Sequence, residues 1–169
     1  MIHGLHHSAY RCRDSEATRR FYEGFLGLPL AGALHIEATK TGRCTDVLHT
    51  FFRLGDGSFL AFFEAPDLPF EFRAQHDFDL HIALRVDEPA LGAMMLLAQD
   101  AGIEVRGISD HGVIRSIYLR DPNGYVVELT APVAGAAAMD PQRAREALAR
   151  WSQRRSASRQ AGRTASMAS

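Results

Sequence analysis

No stretch of this sequence approaches the roughly 18 consecutive apolar residues that a membrane-spanning helix needs. The opening MIHGLHHSAY has neither a basic leader nor an apolar run, which predicts no signal peptide. Two cysteines, Cys12 and Cys44, are too few for a disulfide framework; both are expected to be reduced thiols, with Cys12 in the core. A formal net charge of -1 offers nucleic acid no global attraction. These absences predict a cytoplasmic protein with neither membrane nor nucleic acid as partner. What is there, 46% hydrophobic and 23% charged residues in a chain of 169, suits one globular domain or two small modules sharing a core.

An internal repeat organises the chain. His7-Ser8-Ala9-Tyr10-Arg11 recurs as His81-Ile82-Ala83-Leu84-Arg85, with His, Ala and Arg in the same places. A helical pattern follows each copy. Asp14 suits the cap of a run carrying Ala17, Phe21 and Phe25, ending near Gly27. Pro89 suits a first helical turn, and Leu91, Met94, Met95 and Ala98 make an apolar stripe before Gly102. Each half then closes with two strand-like runs around a tight turn. These are 48–54 and 58–64 around Gly55-Asp56-Gly57, then 115–119 and 125–130 around Asp121-Pro122-Asn123-Gly124. The expected fold is α+β: two βαβββ modules forming a curved mixed sheet, plus a C-terminal helix. Module one is 1–66, a linker or flap rich in Phe and Pro is 67–79, and module two is 80–132, together a single domain over 1–132.

Strands send alternate side chains to opposite faces. Ile82, Leu84 and Val86 claim the helix side, which leaves His81, Ala83 and Arg85 on the other; His7, Ala9 and Arg11 follow suit. In the last strand Val127 and Leu129 go to the helices, and Glu128 and Thr130 face away with Ser116 and Tyr118. Matching Gly57 to Gly124 adds His49 and Phe51 to the same face. Any one of these residues has an ordinary structural reading, since half of many antiparallel sheets faces water. A carboxylate between Val127 and Leu129 is expensive, however, unless something charged meets it. Two His and one carboxylate make the facial set that suits non-haem Fe(II), and the same donors hold Mn, Zn or Ni.

The residues also carry a resemblance. His7-Ser-Ala-Tyr-Arg-Cys-Arg-Asp14, Arg20-Phe21-Tyr22 and Leu26-Gly27-Leu28 resemble the opening of vicinal oxygen chelate modules. Asp121-Pro122-Asn123-Gly124-Tyr-Val-Val-Glu128-Leu129 resembles their closing hairpin. The superfamily includes glyoxalase I, fosfomycin-resistance proteins, bleomycin-binding proteins and extradiol ring-cleaving dioxygenases. The likeness covers residues 1 to about 132 and implies paired modules around a metal. The run from His111 through Ile117-Tyr118 and Asp121-Pro122-Asn-Gly124 to Glu128 is similar to the extradiol dioxygenase motif, with Ser109 the one departure. That similarity implies Fe(II) held by His7, His81 and Glu128, His111 as acid/base, and Tyr118 bonded to a substrate oxygen. The implied substrates are a catechol-like diol and O2, the ring opening beside rather than between the hydroxyls.

Two rival readings stay open. A glyoxalase-like isomerase or lyase uses a fourth protein ligand, for which Glu64 is the candidate. Aligning Glu64-Ala-Pro with Thr130-Ala-Pro132 puts Phe62 opposite Glu128, which favours three ligands and the dioxygenase. His49 is expected in the cavity as a ligand neighbour, a substrate contact or a structural residue. A metal-free binder of the bleomycin-resistance kind needs an aromatic cleft, which Phe51, Phe62, Phe70, Phe72 and Phe78 offer. Phe-rich walls favour an aromatic or apolar small molecule, and relatives of this size imply a homodimer, sometimes with modules exchanged.

Asp140-Pro141 starts a helix whose Ala144, Leu148 and Trp151 share one side, so it is expected to dock on a module or partner subunit. Arg143, Arg145, Arg150, Arg154 and Arg155 make it basic, as a solvated face. The linker and helix are expected over 133–155. From 156 to 169 the Ser/Ala/Arg composition buries little apolar area, which predicts a disordered tail.

Overall fold

The computed structural model describes the backbone of residues 1–137 and 139–167, and the side chains of these up to residue 157. It divides into a first unit, Met1–Pro132, and a second beginning at Val133.

The first unit holds the βαβββ pattern twice. β1 (His7–Arg11) leads to α1 (Ser15–Arg19), which widens into a π-helical stretch (Arg20–Phe25) before β2 (Leu30–Ala38), β3 (Cys44–Arg53) and β4 (Phe59–Glu64). β5 (His81–Arg85), α2 (Glu88–Asp100), β6 (Val105–Asp110), β7 (Ile114–Arg120) and β8 (Val126–Pro132) repeat that order. Each module is a four-stranded mixed sheet, with strand orders β1-β4-β3-β2 and β5-β8-β7-β6. In each, the histidine strand lies parallel to the module's last strand and the remaining pairs are antiparallel.

Local chemistry explains the element ends. Asp14 caps α1 by accepting the Ala17 N–H (2.6 Å), and Gly27 ends the helical stretch at a φ of 75°. The alternation expected of the strands is realised as burial. Ile82, Val127, Leu129, Ile117 and Leu119 from module two join Tyr22, Phe52, Leu60 and Phe62 from module one in a single core. Cys12 lies in that core and burial pushes its thiol up, whereas Cys44 is exposed.

The Asp121-Pro122-Asn123-Gly124 turn fastens the modules together. The buried Asp121 carboxylate accepts the Tyr22 hydroxyl (3.0 Å), the Asn123 N–H and side-chain amide (both 2.9 Å) and the Tyr125 N–H (2.8 Å). Asn123 in turn accepts the Arg13 N–H at 2.9 Å and donates to Thr18 at 3.3 Å. Four donors offset the cost of sinking a carboxyl group between two modules. Gly124, at a φ of 97°, lies so close to the 67–79 segment that a β-carbon would run into the Arg73 carbonyl.

In the second unit α3 runs from Pro141 to Met167. The helix thus runs past residue 155, over part of the segment for which composition predicts a disordered tail. Lack of apolar area argues only against docking, whereas Ala, Arg and Gln favour helix without a buried face. Residues 168–169 of the expected tail lie outside the described residues. No described helix is long and apolar enough to cross a membrane.

Candidate metal centre

Paired strand residues share a face, so the register places each candidate side chain. In module two Ala83 pairs with Glu128, Tyr118 with Glu128, and Ser116 with Thr130. His81, Ser116, Tyr118, Glu128 and Thr130 therefore share the face turned away from the core. Glu128 is only 6% exposed. Its Oε1 accepts the Ser116 hydroxyl at 2.6 Å, and its Oε2 lies 3.3 Å from His81 Nε2. The Ser116 hydroxyl oxygen is also 3.1 Å from Thr130 Oγ1.

The other nitrogen of His81 fixes the chemistry. His81 Nδ1 is 2.6 Å from the Asp77 backbone carbonyl, which can only accept, so Nδ1 carries a proton. In the neutral ring Nε2 is then a bare lone pair aimed at a carboxylate oxygen. Two acceptors that close need a cation between them, either a proton on Nε2 or a metal ion. Two donors at ~2.1 Å from one ion and at right angles stand about 3.0 Å apart, close to the separation found. A ring N–H bonded to a carbonyl is also the usual support of a ligating histidine. The donor set fits a divalent metal.

His111, expected as acid/base, and Tyr118, expected to bond a substrate oxygen, meet beside this pair. His111 Nε2 lies 2.9 Å from the Tyr118 hydroxyl. Burial, and then the Glu128 charge, push that hydroxyl above its ordinary range. Arg106, paired with Tyr118 across β6 and β7, holds its guanidinium 4.8 Å from the ring centre and forms an ion pair with Asp77. Sequence reasoning missed Asp77 and Arg106. The Asp77 contact to His81 is made by backbone, which leaves no side-chain signal. Arg106 could have been found only from the β6–β7 register.

Module one presents a different face. His7 pairs with Phe59 and Ala9 with Ala61, while Phe51 and His49 pair with Ala61 and Phe63. His7 is exposed, 5.8 Å from the Phe51 ring and 6.3 Å from the His49 ring, and shares a 2.8 Å hydrogen bond with His6. His49, as expected, turns to this face. Its ring stacks on Phe63 at 3.6 Å, its Nδ1 lies 3.1 Å from the Phe62 carbonyl, and burial holds its pKa below the usual range.

Two expected cavity residues need correcting. Since His7 meets Phe59 as His81 meets Val126, the counterpart of Glu128 is Ala61, not Phe62. Phe62 is fully buried on the other side of the sheet, 4.7 Å from the Tyr22 ring. Glu64 lies on that same side and accepts the Ser15 N–H at 2.7 Å, supporting the start of α1. Aligning the strand ends slipped the register by one residue, and a one-residue slip turns every side chain to the wrong face. Phe51 and His49 stand at the places of Tyr118 and Ser116, as expected from the turns.

The structure thus brings together His81 with Glu128 and His111 with Tyr118. Among the described residues no three His, Cys, Asp or Glu side chains converge closely enough to hold a metal ion, so His7 does not join the other two within one chain.

The model of the Glyoxalase/Bleomycin resistance protein/Dioxygenase superfamily matches residues 4–129. The chain belongs to that superfamily. The structural comparisons agree. A glyoxalase/dioxygenase from Nostoc punctiforme is 25% identical with a TM-score of 0.59, covering 77% of this chain and 91% of its own. The superfamily fold is also shared with the fosfomycin resistance protein FosX of Listeria monocytogenes (22% identity, TM-score 0.58, covering 79% of this chain and 97% of that one). A domain from Frankia sp. EAN1pec described by the superfamily name has 15% identity and a TM-score of 0.63, covering 79% and 100%. A second Listeria FosX structure is a complex with Mn(II) and sulfate. No curated protein matches the chain.

Proposed function

We propose that the protein is a metal-dependent extradiol-type dioxygenase that cleaves a catechol-like diol with O2. The observation that carries the metal is His81 Nε2 facing Glu128 Oε2 at 3.3 Å while its Nδ1 is bonded to the Asp77 carbonyl. Fe(II) is the preferred ion, with Mn, Zn or Ni suited to the same donors. His81 and Glu128 supply two ligands from one subunit, and the partner subunit's His7 supplies the third in a homodimer. A shared site explains why His7 and the His81–Glu128 pair are both turned away from the core yet do not meet within a chain.

When bound, the metal would act as a Lewis acid for the substrate oxygens and orient both reactants. The protein's own groups handle protons and packing. His111 takes a proton from a diol hydroxyl and returns it later in the cycle. The Tyr118 hydroxyl, 2.9 Å from His111 Nε2, hydrogen-bonds a substrate oxygen and passes the proton between them. Ser116 holds Glu128 in place. The stacked His49–Phe63 pair and Phe51 offer a flat apolar wall beside His7, suited to the aromatic ring of the substrate. With Glu64 turned to the helix side, the fourth protein ligand of a glyoxalase-like site is not supplied by its expected donor.

The test is anaerobic reconstitution with Fe(II), followed by oxygen uptake against catechols that include bulky and bicyclic ones. Oxygen consumption with a ring-fission product is the expected result. His81→Ala, Glu128→Ala and His7→Ala each lose metal, whereas His111→Ala keeps metal and loses turnover. Mixing the His7→Ala and His81→Ala proteins restores activity, because a mixed dimer retains one intact site. A mixture that stays inert while wild type turns over refutes the shared site. Wild type that loads metal but ignores every catechol refutes the dioxygenase, and one that binds no metal refutes both.

A further inference from the structure

The 67–79 segment between the modules is fastened along most of its length. Arg11 donates to the Ala65 and Leu68 carbonyls (both 2.9 Å), and Arg13 donates to the Phe72 carbonyl (3.0 Å) while lying 4.4 Å over its ring. Arg120 reaches the Gln75 carbonyl at 2.8 Å, and the Gln75 N–H reaches the Gly124 carbonyl at 2.8 Å. Asp77 follows, and it faces two parts of the candidate site. Its backbone carbonyl accepts His81 Nδ1–H, while its carboxylate pairs with Arg106, which covers the Tyr118 ring.

We propose that Asp77 and Arg106 are positioning residues forming a latch, which fixes the tautomer of His81 and the placement of Tyr118 together. This rests on the reading of His81 as a metal ligand. The ion pair anchors the Asp77 peptide so that its carbonyl meets Nδ1, which leaves Nε2 bare for the ion. The same guanidinium confines the Tyr118 ring and keeps its hydroxyl at His111. Arg106 holds the Asp77 carboxyl below the usual range, so the pair is charged at neutral pH. The side chains are 53% and 26% exposed, and pairs that exposed add little to fold stability. Placement, not stability, is what the pair contributes.

The experiment compares wild type with Asp77→Asn, Arg106→Met and Arg106→Lys by two independent readouts. The first is the nitrogen-15 shifts of the His81 ring in metal-free protein. Wild type is expected to show one tautomer, protonated at Nδ1. Asp77→Asn and Arg106→Met are expected to show a mixture, and Arg106→Lys a return toward the single form. The second readout is titration with Co(II), where the first two variants bind about 10- to 100-fold more weakly, as is usual on losing a contact that orients a ligand. A single Nδ1–H tautomer in all four proteins overturns the latch, whatever Co(II) does. Wild type that fails to bind Co(II) overturns the metal reading instead, and the ring shifts still decide the latch.

Discussion

On the proposed metal site, Glu128 costs the metal-free protein stability, and the size of that cost is measurable. Its carboxylate is 6% exposed, accepts the Ser116 hydroxyl, and faces His81 Nε2 at 3.3 Å. Without a metal, desolvating such a charge costs several kcal/mol, of which one charge-assisted hydrogen bond returns about 1.5–3. Glu128→Leu removes the buried charge and fills the space between Ala83 and Tyr118. The Ser116 hydroxyl it abandons still has Thr130 Oγ1 at 3.1 Å, so the penalty left behind is small. Replacing buried ionic groups by apolar ones is neutral or stabilising by about 1–4 kcal/mol, and this geometry places the gain at ~1–2. For a unit of this size that is a rise of roughly 3–10 °C in Tm. Metal should reverse the order. At 100 times Kd an ion adds about 2.7 kcal/mol to wild type and nothing to the variant. Thermal melts of both proteins with EDTA and with Mn(II) measure both effects. A Glu128→Leu protein less stable than wild type in EDTA, or equally stabilised by Mn(II), would show that Glu128 is a structural residue.

Three further outcomes follow from the packing. Tyr22→Phe leaves the buried Asp121 carboxylate short of one donor and should cost about 1–3 kcal/mol in urea denaturation, with metal affinity unchanged. Phe62→Ala should cost about 3–5 kcal/mol, as expected of a core ring; a loss of substrate binding with stability intact would put Phe62 back in the cavity. On the β2–β3 pair, His35 Nε2 lies 2.7 Å from Asp46 Oδ1, and that bond raises the His35 pKa above its ordinary 6.5. A raised pKa means the folded state binds the proton more tightly. Its contribution is therefore complete below about pH 6.5 and fades as pH climbs through the folded value. Asp46→Asn should flatten this decline, as read from urea midpoints across that window.

Much of the site was legible because alternation is a strong constraint. Val127 and Leu129 must reach the core, which turns Glu128 to the other face however the modules are arranged. The same logic placed His81, Ser116, Tyr118 and His49. It failed at β4, where two landmarks disagreed by one residue. Counting from Gly57 and Gly124 makes Ala61 the partner of Glu128, while counting from the Ala-Pro ends makes it Phe62. The turn is the sounder landmark, because hairpin register is set at the turn while strand ends fray. β2 was harder to read for a related reason: its pairing with β3 shifts at two irregularities, so no strict alternation runs through it. The distance between His7 and the His81–Glu128 pair has no local signature at all, since it depends on how whole modules meet. Nor has the bond from Asp77 to His81, because its acceptor is a backbone carbonyl.

The two modules share a topology but not a surface, and the difference has a chemical logic. At equivalent places module two carries Glu128, Tyr118, Ser116 and Thr130, and module one carries Ala61, Phe51, His49 and Phe63. Two copies of the polar face meeting across one cavity would bring like-charged carboxylates together, which is costly in a dry site. Two copies of the apolar face would offer an ion no carboxylate. In the proposed site one of each would give an ion a single carboxylate and two imidazoles, with an aromatic wall opposite. In the proposed shared site His7 is the ligand that module one contributes, and three protein donors leave positions open for reactants. By this reasoning, restoring the lost carboxylate with Ala61→Glu should tighten metal binding and abolish oxygen uptake, since a fourth protein ligand fills a position the chemistry uses. An Ala61→Glu protein with full dioxygenase activity would mean that the partner subunit's module one does not face the ion.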